Sequence, residues 1–301
     1  MLRNIALSAV IAVVVATQAN AAAINEWNLI VRNNLTSSSE VEGSALVGGN
    51  VMGTSNYSVA GVSASNGDGL AVGGDIGGGI NIQINNGGNL RLAGSVLGGS
   101  NINLNGGGVQ INDPNVPTMV SNAFNEIETL SNYLAGLASN GTLDGAGNMN
   151  AVPTLMDGQL VAVYNIAATD LMGLGQLNLN FGSADSVIIN VTSNGGNVNF
   201  QAPPNMIGGF NQNNSSKILW NLADATSVVS NNTFNGALLA PFADLQLLGG
   251  AMNGTVAVNN VSAMNAEIHR FTYDGFVPEP ASLALLTLGG FVATIRRRRA
   301  A

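Results

Sequence analysis

The chain has 301 residues, of which 39 are glycine, none is cysteine and only 9 % are charged, and its formal net charge is −8. Without cysteine there is neither a disulfide framework nor a thiolate metal site, so stability must come from packing and backbone pairing. Between Ala22 and Val277 four basic residues (Arg32, Arg91, Lys217, Arg270) face sixteen acidic ones, a net of about −12, which excludes nucleic acid and anionic lipid as partners of this body.

Arg3 precedes the uncharged stretch Ile5–Ala16, and Ala19-Asn20-Ala21 supplies a small-x-small cleavage pattern. These are the parts of a secretory signal peptide, residues 1–21, cleaved at Ala19 and Ala21. The mature chain then begins near Ala22.

Leu46-Val47-Gly48-Gly49-Asn50, Ala71-Val72-Gly73-Gly74-Asp75 and Val96-Leu97-Gly98-Gly99-Ser100 recur at equal intervals. Each is a strand end running into a corner that wants positive φ. Between them lie alternating segments: Ile80–Asn85, Leu90-Arg91-Leu92, Ile102–Asn105 and Val109-Gln110-Ile111. Alternation puts Ile, Leu and Val on one face and Asn or Gln on the other. Short strands, glycine corners and a period of a few tens of residues predict a mainly β fold, a right-handed β-solenoid (β-helix) lined by the apolar face. Outward amides would form ladders along the stack. A sandwich or barrel competes, since its strands are also short and turn-bounded.

Asp113-Pro114-Asn115-Val116-Pro117 breaks the pattern. Val120, Phe124, Ile127, Leu130, Leu134 and Leu137 then step by three or four, predicting an amphipathic helix over about 117–139 packed along the side of the solenoid. Pro117 suits its first turn and Asn140-Gly141 its stop. Alternation resumes at Leu177–Phe181 and continues through Val187–Val191, Val198-Asn199-Phe200, Lys217–Asn221, Gly236–Ala240, Asp244–Leu248 and Gly254–Asn259, adding further coils. No linker separates the halves, so residues 22–276 read as one domain.

The last stretch has three parts: Val277-Pro278-Glu279-Pro280, the uncharged run Ala281–Ile295, and Arg296-Arg297-Arg298-Arg299. The prolines end the body. This apolar run approaches the roughly 20 residues that a bilayer core requires, extended by Val277 and snorkelling arginines into a transmembrane helix. The arginines act as a cytoplasmic stop signal, holding the body outside. This order resembles the PEP-CTERM sorting signal of Gram-negative bacteria. The resemblance implies an exosortase-like processing enzyme as partner, transient anchoring in the inner membrane over 277–301, and release to the cell surface or extracellular matrix.

The body carries a second resemblance. Asn28–Val31, Val41-Glu42-Gly43, Gly48–Val51, Ile218–Ser227, Gly236–Pro241, Asn253–Val256 and Glu267-Ile268-His269 look like the choice-of-anchor A domain. That family is similar in architecture to ice-binding-like adhesive domains, β-solenoids with a helix along one side. It implies no catalytic residue.

The chemistry visible in the chain is sparse. Asp170, Asp185, Asp224 and Asp244 are single and sit in corners, where Asp serves turn geometry, although a glycosidase needs a close carboxylate pair. His269 is the sole histidine and shares a strand face with Glu267, but no further His or Cys completes a metal site. Gly73-Gly74-Asp75 and Asn66-Gly67-Asp68-Gly69 resemble fragments of Ca²⁺-binding repeats without the full period, so no cofactor is expected, Ca²⁺ remaining an alternative. Trp27 and Trp220 fit core positions. The leading expectation is a non-enzymatic exported protein, adhesive or structural in a biofilm, meeting extracellular polysaccharide or a neighbouring cell surface. Ice binding, glycan binding and a polysaccharide-active β-helix enzyme are the alternatives.

Overall fold

The computed structural model describes residues 22–200 and 204–278. Strands Leu29–Val31, Ala45–Val47, Asp68–Val72, Asn89–Leu92 and Gln110–Asn112 pair in parallel, each with the next, to form one face. Strands Glu40–Val41, Ser55–Tyr57, Asn81–Ile84 and Asn101–Leu104 do the same on a second face. The chain alternates between the faces, so each circuit is one coil of a solenoid.

The coils are less regular than the even repeat suggests. The in-register partners are Leu29, Ala45, Leu70, Leu90 and Gln110, so the first coil is the shortest and the second, from Ala45 to Leu70, the longest. Leu46 does lie on Ala71. The third copy is displaced, because Val96, the counterpart of Ala71, bridges to Ile76 instead. The long coil contains an excursion around Ser63 and Ala64, tied down by reciprocal hydrogen bonds between Ser44 and Ser63 (2.9 Å each). The last strand also departs from expectation. Gln110 lies on Leu90 and Asn112 on Leu92, so polar residues take its interior positions and Val109 and Ile111 face outward. A terminal coil has no neighbour to cover its interior, and polar residues suit it there.

The second half does not extend the first. Strands Gln159–Ala167, Ser186–Thr192, Ile218–Asn221, Ala237–Leu247 and Val256–Met264 stack in parallel in that order. Val256–Met264 then pairs in parallel with Leu29–Val31, the first strand of the chain. The chain therefore starts at the middle of the stack, winds to one end, crosses to the other and winds back to its own beginning. The crossing is made by the helix Val116–Ala135. Its 20 residues span about 30 Å, against about 43 Å for the nine strand spacings between Gln110–Asn112 and Gln159–Ala167. At the far end Thr154–Met156 pairs antiparallel with Gln159–Ala167, and Thr142–Leu143 pairs antiparallel with Asn148–Asn150.

Two cores result. Leu29, Val31, Ile82, Ile84, Val187, Ile189 and Trp220 fill the coil interior. Ile30, Leu46, Ala71, Ile188, Leu219, Leu239 and Ala257 face the other way and are covered by Val120, Phe124, Ile127, Leu130 and Leu134 of the helix. Strands buried on both faces read as continuous apolar runs, which explains Val187-Ile188-Ile189. The helix ends at Ala135, capped by Gly136, one turn short of the expected stop. Glycine is a poor helix former, and Leu137 lies beyond the last turn. Asn140 instead serves the sheet: its Oδ1 accepts from Val163 N (2.6 Å) and its Nδ2 donates to Val161 O (3.0 Å).

Among the described residues no helix is long and apolar enough to cross a membrane. Ala19, Ala21, Glu279, Pro280, the run Ala281–Ile295 and Arg296–Arg299 lie outside the described residues.

Candidate binding surface

The second face carries the most developed polar surface. Tyr57, Ile82 and Ile84 point inward and are fully buried. The residues between them point outward, and the register lines them up as a rank, Glu40–Asn56–Gln83–Asn103. Hydrogen bonds run along and across such ranks. Asn103 Nδ2 donates to Asn81 Oδ1 (2.8 Å), and Asn105 Nδ2 donates to Gln83 Oε1 (2.9 Å) and Asn85 Oδ1 (3.0 Å). An open cleft of about 650 Å³ lies here, lined by Glu40, Asn56, Val59, Gln83, Asn85, Asn86, Asn105 and Gly106. Asn86 is left-handed (φ 54°), and its side-chain amide donates to Ser58 O (2.7 Å) and Val59 O (2.9 Å).

The same face continues onto the end of the chain. Ile268 pairs with Val41, which puts Glu267 on the rung beside Glu40. His269 Nδ1 meets Asn253 Oδ1 at 2.6 Å and its Nε2 meets Glu267 Oε2 at 3.0 Å. Arg270 N donates to Glu42 Oε2 (2.8 Å). The expected Glu-x-His pair on one strand face therefore forms. Among the described residues no three His, Cys, Asp or Glu side chains gather to hold a metal ion.

A further ladder runs from exposed Asn165 to Asn190 and Asn221, which are buried beneath the helix where the sequence suggests solvent-facing amides. Asn190 Nδ2 donates to Asn165 Oδ1 (2.8 Å) and Asn221 Nδ2 to Asn190 Oδ1 (2.9 Å). Both reach the helix: Asn190 Nδ2 donates to Leu134 O (2.8 Å), and Asn221 Nδ2 donates to Ser131 O (2.9 Å) while its Oδ1 accepts from Ser131 Oγ (2.6 Å). These bonds fix the helix in register over the sheet.

The aspartates considered as acids serve separate places. Asp170 lies in the first turn of the short helix Ala168–Met172. Asp185 accepts from Leu160 N (2.8 Å), and Asp244 accepts from the amides of Asn259 (3.1 Å) and Asn260 (2.8 Å). Asp224 accepts from Ser193 N (2.9 Å) and Asn194 N (2.7 Å). Burial pushes the Asp224 carboxyl up, but these hydrogen bonds outweigh it and hold it below the usual range. The residues of the calcium-like fragments are also engaged. Asp68 is fully buried and accepts from Arg91 Nε (2.6 Å), while Arg91 Nη1 also holds Asp113 Oδ2 (2.9 Å). Asp75 Oδ1 accepts from Ser95 N (2.7 Å). Hydrogen bonds from Asn115 N and from Arg91 lower the Asp113 carboxyl.

Both tryptophans are core residues, as expected. Trp220 stacks on Phe210 at 5.5 Å between centroids and its Nε1 donates to Asn235 O (3.1 Å). Trp27 belongs to the core under the helix. The sequence alone does not single out Glu40, and only the register of Ile268 on Val41 brings it beside Glu267. Those partners stand near opposite ends of the body, so no local pattern points to their meeting.

A parallel stack with a side-packed helix and an amide-lined face defines a β-solenoid. The profile of the ice-binding-like adhesive domain matches residues 20–270, and the chain belongs to that family. A PEP-CTERM protein-sorting motif matches residues 276–299. No curated protein matches the sequence. Among solved structures the chain is similar to an ice-binding protein of the Antarctic ascomycete Antarctomyces psychrotrophicus, at 12 % identity and TM-score 0.38, over 81 % of this chain and 94 % of that one. It is similar to a glycosylated ice-binding protein from an Arctic yeast, at 15 % identity and TM-score 0.36, over 85 % and 94 % of the two chains. A third is an ice-binding protein from an Antarctic bacterium of the Flavobacteriaceae, at 11 % identity and TM-score 0.32, over 80 % and 79 %.

Proposed function

We propose that this chain is an exported, non-enzymatic adhesive protein, sorted through its C-terminal motif to the cell surface or extracellular matrix of a Gram-negative bacterium. The observation that carries this reading is the conjunction of an adhesive-family body over residues 20–270 with a sorting motif over 276–299. In this reading residues 1–21 are a signal peptide cleaved at Ala19 and Ala21, and residues 22–276 are a right-handed solenoid of the choice-of-anchor A type. Right-handed winding is the hand that parallel crossover connections favour. Val277, Pro278, Glu279 and Pro280 form the motif that an exosortase-like enzyme processes, and Arg296, Arg297, Arg298 and Arg299 hold the tail at the inner membrane until then. The body then meets polysaccharide or a neighbouring cell within a biofilm, and no metal or cofactor takes part.

Fractionation of cells making tail-intact and tail-deleted chains tests the sorting. The intact chain is expected first in the membrane and then at the surface, and the deleted chain free outside the inner membrane. Identical distributions would overturn it. Adhesion and flocculation unchanged by gene disruption would overturn the adhesive role.

Ice binding is the second reading, favoured by the family's description and by a third parallel face, where Asn197–Phe200 pairs with Ser227–Ser230 and that strand with the later parts of Ala237–Leu247 and Val256–Met264. One registered row across that face runs Asn199, Val229, Gln246, Ala263. It has no repeated hydroxyl, and thermal hysteresis of the purified chain decides the matter.

A further inference from the structure

We infer that the cleft on the second face is a binding site for a neutral, hydroxyl-rich polysaccharide strand lying along the stack axis, with Gln83 between Glu40 at one end and Asn105 at the other. This rests on the adhesive reading above and names the ligand class for it. The lining supplies the chemistry: amides that each both donate and accept, and one carboxylate that accepts two hydroxyls. The rank Glu40–Asn56–Gln83–Asn103 repeats at the strand spacing, about 4.8 Å. That repeat is close to the length of a pyranose unit, so successive sugars meet successive rungs. The cleft is open rather than enclosed, which suits a stretch of polymer better than a single sugar.

Charge selects among polysaccharides. The body carries about −12 overall, Glu40 lines the cleft and Glu267 occupies the adjacent rung, so uronate or sulfate groups are repelled. One further feature is costly unless used. Like charges on neighbouring strands oppose sheet formation, yet Glu40 and Glu267 sit side by side. Hydroxyl donors placed between Glu40 and Glu267 would relieve this.

The test uses the purified full chain in detergent and measures binding to immobilised neutral and uronate-containing oligosaccharides by calorimetry or surface resonance. Neutral chains are expected to bind and uronate-containing ones not. Gln83→Ala with Asn105→Ala should weaken binding at least about tenfold, and Glu40→Gln by several-fold. Asn180→Ala, in the amide pair with Asn150 on another sheet, should leave it unchanged. Circular dichroism melts verify that the variants fold. No binding of neutral chains, preference for uronates, or binding indifferent to Gln83 and Asn105 would each overturn the assignment. Cell attachment measured with the same variants separates the two readings. Attachment lost on gene disruption but untouched by the cleft variants sinks the cleft and spares the adhesive role, whereas attachment indifferent to disruption sinks the adhesive role.

Discussion

Asn221→Leu tests whether the buried amides under the helix hold it by hydrogen bonding. Asn221 is 1 % exposed. It gives its amide protons to Ser131 O and Asn190 Oδ1 and takes the Ser131 hydroxyl proton. Leucine has the same branching and the same number of side-chain heavy atoms, so no cavity forms, and burying its apolar atoms contributes about 2 kcal/mol. It leaves the Ser131 hydroxyl and the Asn190 carbonyl oxygen short of a partner, at about 2 kcal/mol each. The net loss is then about 2 kcal/mol. For a body of this size that lowers Tm by about 4–8 °C. Urea unfolding of the purified chain gives the free energy directly. Combining Asn221→Leu with Ser131→Ala removes one orphaned group, so the double variant should be more stable than the sum of the single losses predicts. An unchanged or raised stability in Asn221→Leu, or strict additivity in the pair, would refute the reasoning.

Phe124→Ala removes a helix ring that is 2 % exposed and lies 4.2 Å from the Arg32 guanidinium carbon; a loss of about 3–5 kcal/mol is expected in urea unfolding. Asp224→Asn should flatten the acid limb of stability. The folded Asp224 carboxyl is depressed by its backbone donors, so its contribution is present above the unfolded value near about 4 and lost as pH falls through the folded one. A Tm–pH profile below about pH 5 that is identical in both forms would count against this assignment. Asp68→Ala leaves Arg91 paired with Asp113 and empties a fully buried site; losing the charged hydrogen bonds of Asp68 is expected to cost about 2 kcal/mol in urea unfolding.

The local grammar of this fold is open to reading in the sequence and its long-range order is not. Alternation in Ile80–Asn85 and Ile102–Asn105 locates the strands and their outward amides, because period-2 placement needs nothing beyond neighbouring residues. The apolar steps from Val120 to Leu134 locate the helix and its buried face for the same reason. Two departures have a common origin. The even repeat hides a shorter coil and an excursion, since Val96 copies the composition of Leu46 but bridges to Ile76. Likewise, Val109-Gln110-Ile111 alternates correctly but faces the opposite way, because one residue of register inverts a strand. Register against a distant strand is not encoded in the strand itself. The burial of Asn190 and Asn221 in the ladder that starts at Asn165 is hidden because an outward amide looks the same whether water or a helix covers it. The candidate cleft shows the same division: its amide rank is visible strand by strand, but Glu267 beside Glu40 depends on the last coil meeting the first.

That meeting also decides how the body is held. Strand Val256–Met264 lies against Leu29–Val31, so the first strand of the body and its last long strand meet at the middle of the stack. Thr255 Oγ1 donates to Ile24 O (2.9 Å), and Asn25 Nδ2 donates to Tyr273 O (2.7 Å). Tyr273 Oη in turn donates to Phe276 O (3.0 Å), and Phe276 N donates to Ser186 Oγ (3.0 Å). The backbone is thus tied down to within a few residues of Val277-Pro278. From Tyr273 the chain crosses to Ser186, on the strand next to Gln159–Ala167, so Phe276 lies toward the end of the stack that holds the second half. The amide rank Glu40–Asn56–Gln83–Asn103 belongs to the coils on the other side of Leu29–Val31. A chain held after Pro278 is therefore held on the half that does not carry that rank, and the amide-lined face stays free to meet a partner.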